Sequence, residues 1–339
     1  MDGLTAGLLD LQVNGYAGVD FNDAGLTADA LDHALRAMRD AGVTACLPTL
    51  ITAPADVLHA RLHALDAAVA GSRLGPLMVP GYHLEGPFLN PGPGFAGCHP
   101  PEAMVAPDPA LLARWRRGLR RPVLMLTLAP ELPGAEALIA AAVAGGTVAA
   151  IGHADAGTGA VARAVGAGAT LSTHLGNGLP GTLPKLDNPL WAQLGEDRLA
   201  AGFIADGIHV PAPALRAMLR AKGPKRAVLV TDAVSAAASA PGRYGFAGMD
   251  IERADDGSVR LPGTGRLAGS ALTLDQAVRN VVAWGIAGWA EAVAMASTTP
   301  ADVLAPALHW HGLTLPDTVV AWQGGRVARV DGHARAQPC

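Results

Sequence analysis

The chain alternates short apolar runs with longer stretches in which apolar positions recur every three or four residues. Eight runs stand out, at residues 8–14, 43–52, 77–85, 123–131, 148–153, 170–177, 201–209 and 228–232. Between them lie Ala-, Leu- and Arg-rich stretches such as 28–41, 135–144 and 211–221, whose apolar spacing is helical. A run that is apolar throughout predicts a strand buried on both faces. Strands of this kind alternating with helices predict a parallel sheet covered by helices. Eight such units favour a closed (β/α)8 TIM barrel over an open sheet, and a chain of 339 residues accommodates one, since such barrels take about 250 residues.

After the eighth run the pattern changes. Residues 235–260, rich in Gly, Ala and Asp, predict a loop with a β-excursion through 244–251. Helices are expected from a cap at Ser270 or Thr273 to about Trp284, over 289–296, and from Pro300 onward. The tail at 318–330 reads as two short strands around Gly324-Gly325 that need a sheet partner elsewhere. The expected organisation is a barrel over residues 1–310 and a short C-terminal hairpin and tail over 311–339.

The polar residues indicate what the barrel is for. Gln12, Asn14, His83, Glu85, Glu131, His153, His174, Asn177, Asp206, His209 and Asp232 fall at the ends of the runs or just beyond. In this architecture those ends form the active-site mouth. A loop-capping role explains any one of them, but not four histidines and several carboxylates at the same end. Glu85, His153 and His174 make a His2Glu set, the ligand chemistry of a catalytic zinc ion with an open position for water.

Composition narrows the class further. Gly and Pro together make up about 20 % of the chain, below the roughly 25–30 % of low-complexity sequence. A net charge of -4, with Lys185, Lys222 and Lys225 as the only lysines, leaves no basic stripe for nucleic acid. Residues 137–152 are uncharged and mostly apolar, but shorter than the ~20 residues that span a membrane. Gly145-Gly146 divides them into a buried helix, a turn and a strand. Cys46, Cys98 and Cys339 form no disulfide framework, and the N-terminus lacks a basic leader, so a cytoplasmic protein is expected.

The segments Leu11-Gln12-Val13-Asn14-Gly15, His83-Leu84-Glu85-Gly86-Pro87, Thr127-Leu128-Ala129-Pro130-Glu131, Gly152-His153-Ala154-Asp155, Thr173-His174-Leu175-Gly176-Asn177, Asp206-Gly207-Ile208-His209, Val230-Thr231-Asp232-Ala233 and Gly269-Ser270-Ala271-Leu272-Thr273 resemble, in order, those of the N-acetylglucosamine-6-phosphate deacetylases of the amidohydrolase superfamily. The resemblance runs from about Leu9 to about Leu304. It implies that Glu85, His153 and His174 hold one divalent metal, Zn2+ in the first place, with Fe2+, Co2+ or Mn2+ as alternatives. It implies that Asp232 is the catalytic carboxylate and His99 the residue that polarises the acetyl carbonyl. Asn177, the backbone at Gly178, and His209 match positions that contact the sugar phosphate. Gln12 and Asn14, placed with the substrate contacts, stand where many amidohydrolases carry a His-x-His pair. Their neutral amides argue for one metal rather than two. The implied reaction is hydrolysis of N-acetylglucosamine 6-phosphate to glucosamine 6-phosphate and acetate. Asp232 takes and returns the proton, in a homodimer with a small-molecule substrate and neither nucleic acid nor membrane as partner.

Two features depart from the family pattern. The family builds a small β-sandwich from segments on both sides of the barrel, whereas here the barrel begins within ten residues of Met1, so the sandwich is expected to be reduced or absent. Lys185, 11 residues after His174, stands where the family has an arginine that reaches the phosphate in a neighbouring subunit. An amidohydrolase acting on another N-acyl sugar or amine, and a non-catalytic sugar-phosphate-binding barrel, are the alternative readings. Cys98 is read as a loop cysteine, Glu131 as a hydrogen-bonding residue of the barrel rim, and His59 and His63 as a solvated helix face. The arginines around Trp115 are read as snorkelling from an exposed helix.

Overall fold

The computed structural model describes residues 2–332; Cys339 and the end of the expected tail lie outside them. The eight apolar runs become β1 (Leu8–Val13), β2 (Val43–Ile51), β3 (Tyr82–Glu85), β4 (Val123–Leu128), β5 (Val148–Ile151), β6 (Leu171–Ser172), β7 (Ala200–Ile204) and β8 (Ala227–Val230). They pair in sequence order as one parallel sheet with helices between them. The start of the third strand differs from the sequence reading. Gly75–Met78 forms a helical turn with Pro76 in its first turn, so the third strand begins at Tyr82 instead of Leu77.

Side-chain pattern explains the layers. Every residue of β1, β2 and β4 is buried, as expected of strands packed against helices outside and barrel filling inside. The first helix, Ala28–Asp40, buries Leu31, Ala34, Leu35 and Met38, an i, i+3, i+4, i+7 stripe. Thr27 caps it by accepting from the Ala30 amide, and Asp108 and Asn188 do the same for the helices Pro109–Arg116 and Pro189–Leu194. Each such cap is worth about 1 kcal/mol. Trp115 is fully buried against Phe88, so the neighbouring arginines flank a core anchor.

The barrel closes between its first and last strands. Thr231 donates from its amide and hydroxyl to the Asp10 carboxylate at 3.2 and 2.6 Å. The Asp232 amide donates to Gln12 O, and the Asn14 amide to Ala233 O. Burial pushes the Asp10 carboxyl up to about 7 despite these bonds.

Two three-stranded sheets attach to this frame. Gly242–Phe246, Met249–Arg253 and Val259–Arg260 form an antiparallel sheet beside the mouth, held by a core of Phe246, Ile251 and Val259 against Ile51 and Val234. The hairpin Val319–Gln323 and Arg326–Asp331 finds its sheet partner in the N-terminal strand Gly3–Ala6. Trp322 fixes this sheet by donating to Thr5 Oγ1 and by an edge-on contact with Trp289. Among the described residues no helix is long and apolar enough to cross a membrane.

Candidate active site

The chemistry gathers where the strands end. Glu85 is the last residue of β3, and His153, His174 and Asp232 each lie two residues beyond β5, β6 and β8. All three of the latter are non-glycine residues in left-handed backbone, with φ of 51, 27 and 50°. Such a conformation costs of order 1–3 kcal/mol per residue and persists where surrounding bonds enforce it. Here the carbonyls of His153, His174 and Asp232 accept from the amides of Asn90, Asn177 and Ser270. These turns aim the three side chains into one cavity of about 650 Å³, a size suited to a small ligand.

Glu85 is the hub. Its Oε1 lies 2.8 Å from His174 Nε2 and 3.3 Å from His153 Nε2, and the two imidazole nitrogens are 3.2 Å apart. Ligand atoms ~2.0–2.1 Å from a tetrahedral ion lie about 3.3 Å from one another, so this triangle fits one face of such a site. Its second oxygen faces His99 Nε2 at 3.8 Å. Glu85, His99 and His153 also offer ligand atoms within 4.8 Å of one another. The closer triangle, with His174, is the better match to one small ion. His153 Nδ1 donates to Phe95 O at 2.6 Å, which leaves the Nε2 lone pair for a metal. A buried carboxylate ringed by imidazoles is a donor set that fits a divalent cation.

The electrostatics follow from burial and charge. Burial alone would raise Glu85, but bonds from His153 and His174 hold it well below the usual carboxylate range. Burial would lower His174, but the Glu85 carboxylate beside it raises the imidazole to about 9. His99 is held down at about 3 by burial and by the neighbouring His153. Burial and the Glu85 charge push Asp232 up to about 6.

Asp232 is held from across the closing seam. Its Oδ1 accepts from Gln12 Nε2 at 3.1 Å and from Asn14 Nδ2 at 2.7 Å. The two amides thus orient the carboxylate. Asn14 also lines the cavity, with a buried Oδ1 that has no hydrogen-bond partner among the described residues, whereas Gln12 does not line it. Asn177, Gly178 and His209 line the cavity as well. A Cβ at Gly178 would come within 2.6 Å of His153 Nδ1, and its φ of +61° also favours glycine. Lys185 is exposed on a loop outside the cavity lining.

Several partners were not foreseen from sequence. Thr52 Oγ1 meets His99 Nδ1 at 2.9 Å, and Asp206 grips His209 Nδ1 at 2.6 Å while accepting from the Ile208 and His209 amides. The Asp206-Gly207-Ile208-His209 spacing was the available signal for that pair. Arg260 and Arg266 line the cavity from the excursion sheet, and nothing in the apolar pattern marks them. Glu131 accepts from Asn90 and from the Asp155 amide, a rim bond. Cys98 lines the cavity, and burial together with the Asp232 and Glu85 charges pushes its thiol up to about 12, opposed in part by the Arg266 charge.

Comparison with known proteins agrees with this geometry. No protein-family model matches the chain. It is 34 % identical over 304 residues to an N-acetylgalactosamine-6-phosphate deacetylase of Shewanella sp. (strain ANA-3), covering 89 % of this chain and 74 % of that one. It is 36 % identical over 316 residues, with the same coverage, to an N-acetylglucosamine-6-phosphate deacetylase of Bos taurus. A solved mutant of N-acetyl-D-glucosamine-6-phosphate deacetylase from Mycobacterium smegmatis, in complex with N-acetyl-D-glucosamine-6-phosphate, superposes with a TM-score of 0.86 at 31 % identity, covering 98 % of this chain and 85 % of that one. The chain therefore belongs to the family of N-acetylglucosamine- and N-acetylgalactosamine-6-phosphate deacetylases, hydrolases of the amide bond.

Proposed function

We propose that the protein hydrolyses the acetamide of an N-acetylhexosamine 6-phosphate, N-acetylglucosamine 6-phosphate in the first place, to acetate and the free amino sugar phosphate. The observation that carries this reading is Asp232, clamped by Gln12 and Asn14 in the same cavity as Glu85, His153 and His174. Glu85, His153 and His174 would hold one divalent ion, zinc by the chemistry of two imidazoles and a carboxylate. When bound, such an ion supplies a Lewis acid for the acyl oxygen and acidifies a water.

The chain's own residues do the rest. With Oδ1 occupied by the two amides, Asp232 keeps Oδ2 to accept a proton from the attacking water as the carbon–oxygen bond forms. The same proton is then delivered to the sugar nitrogen as the carbon–nitrogen bond breaks. The Thr52 hydroxyl lies 2.9 Å from His99 Nδ1 and 3.4 Å from Glu85 O, so we assign its proton to Nδ1. That leaves Nε2–H of His99 as a donor toward the acyl oxygen. Asn177, the Gly178 backbone and His209 would position the sugar phosphate.

Lys185 would meet the phosphate only across a subunit interface, because it is exposed outside the lining of its own cavity. Leu186 and Trp191, both exposed beside it, support a homodimer contact there. Free Cys46 and Cys98 are consistent with a cytoplasmic setting. The test is acetate release from N-acetylglucosamine 6-phosphate, its galacto epimer and both unphosphorylated sugars by zinc-loaded protein. The reading requires the highest kcat/KM on a 6-phosphate, and no acetate from any of the four would refute it.

A further inference from the structure

The cavity poses an electrostatic problem for an anionic substrate. Its floor carries the carboxylates of Glu85 and Asp232, while among the described residues the only lysine or arginine side chains in its lining are Arg260 and Arg266. Within one subunit these two guanidinium groups are therefore the permanent cations of the described lining that a bound phosphate dianion can meet.

Both sit on a hairpin anchored to the catalytic centre. Arg260 pairs with Leu267, the Leu261 amide donates to Arg266 O, and the Ala268 amide donates to Val259 O. Three residues beyond Leu267, the Ser270 amide donates to Asp232 O and the Ser270 hydroxyl to Thr231 O. The two arginines are not equivalent. Arg260 is committed to the hairpin, donating to Gly265 O at 2.6 Å and to Ser258 Oγ at 3.3 Å. The Arg266 guanidinium makes no hydrogen bond or ion pair among the described residues. It is exposed at the mouth, near enough to Cys98 for its charge to act there.

We propose that Arg266, on a hairpin braced by Arg260, is the specificity-determining cation that recognises the substrate's phosphate within its own subunit. This rests on the deacetylase reading above. A guanidinium offers paired N–H donors matched to phosphate oxygens, a geometry that the ammonium of Lys185 cannot reproduce. The site is thereby supplied with a phosphate contact independent of any subunit interface.

The test measures kcat/KM on N-acetylglucosamine 6-phosphate and on N-acetylglucosamine, and calorimetric binding of inorganic phosphate, with the full metal-loaded chain. Arg266→Ala should lower the ratio of the two kcat/KM values by about 10- to 100-fold, mainly through KM, and weaken phosphate binding in parallel. Arg266→Lys should recover part of the loss. Arg243→Ala, which removes an exposed arginine of the same sheet outside the cavity lining, should leave the ratio unchanged. A ratio within about twofold of the parent in Arg266→Ala, with phosphate binding intact, would overturn the proposal. If the parent releases no acetate from either sugar, the deacetylase reading falls instead, and the phosphate-binding arm still decides the role of Arg266.

Discussion

Asn14 and Asp232, 218 residues apart in sequence, meet at 2.7 Å across the seam that closes the barrel. The bond joins the residue just after the first strand to the turn after the last and orients the carboxylate that we propose moves the proton. Bonds to an ionised group are worth about 1.5–3 kcal/mol, and this one favours the charged form of Asp232. Asn14→Ala should therefore lower kcat by about 10- to 100-fold. The same change should move the acidic limb of the pH–rate profile to higher pH, because losing the donor raises the carboxyl. A limb unmoved in a variant of full metal content would separate the bond from catalysis.

Asp232→Asn preserves shape and removes the proton acceptor. Turnover should fall by about 10²- to 10⁴-fold, the usual contribution of positioned acid–base catalysis, with metal content intact. His153→Ala and His174→Ala should lose metal and activity together, and elemental analysis of the parent should return one ion per chain. Two ions per chain after dialysis would contradict the one-metal site, since Gln12 and Asn14 are spent on Asp232.

The barrel was legible because its strands are buried on both faces, which writes unbroken apolar runs into the chain. The positions of Glu85, His153, His174 and Asp232 were legible because each stands at or near the polar end of such a run. The use of Gln12 was not, since the direction of its amide depends on the register between β1 and β8, set by the Asp10–Thr231 bonds and visible only in three dimensions. Leu77 and Met78 continue an apolar run yet form a helical turn after Pro76. Gly3–Ala6 is largely exposed, and only its pairing with Val319–Gln323 identifies it as a strand. Arg266 lies in a polar loop whose position over the mouth comes from the packing of Phe246 and Val259.

The seam also carries a pH dependence. Burial raises the Asp10 carboxyl from 3.8 to about 7 in the folded chain. The folded state therefore binds more protons than the unfolded one in that window. Its contribution is full below 3.8 and is lost as pH rises toward 7. Asp10→Asn keeps an oxygen for the Gln12 and Thr231 amides and removes the titration. Its Tm relative to the parent should rise between pH 4 and pH 8; a constant difference would show that Asp10 does not titrate in this range.

Lys185 offers a test of assembly. Lys185→Ala should raise KM for the phosphorylated sugar if a neighbouring subunit's cavity receives it. Mixing Lys185→Ala with Asp232→Asn chains should then restore part of the activity in mixed dimers. Equal KM effects on phosphorylated and unphosphorylated sugars would assign Lys185 to structure.

The central claim is that Asp232 moves the proton that splits the acetamide in the cavity formed with Glu85, His153 and His174. The most direct measurement compares acetate and primary amine released from N-acetylglucosamine 6-phosphate by parent and Asp232→Asn protein matched for bound metal. The account predicts one amine per acetate from the parent, and near-background release from the variant. A silent parent with one ion per chain, or a variant within threefold of it, would contradict the account.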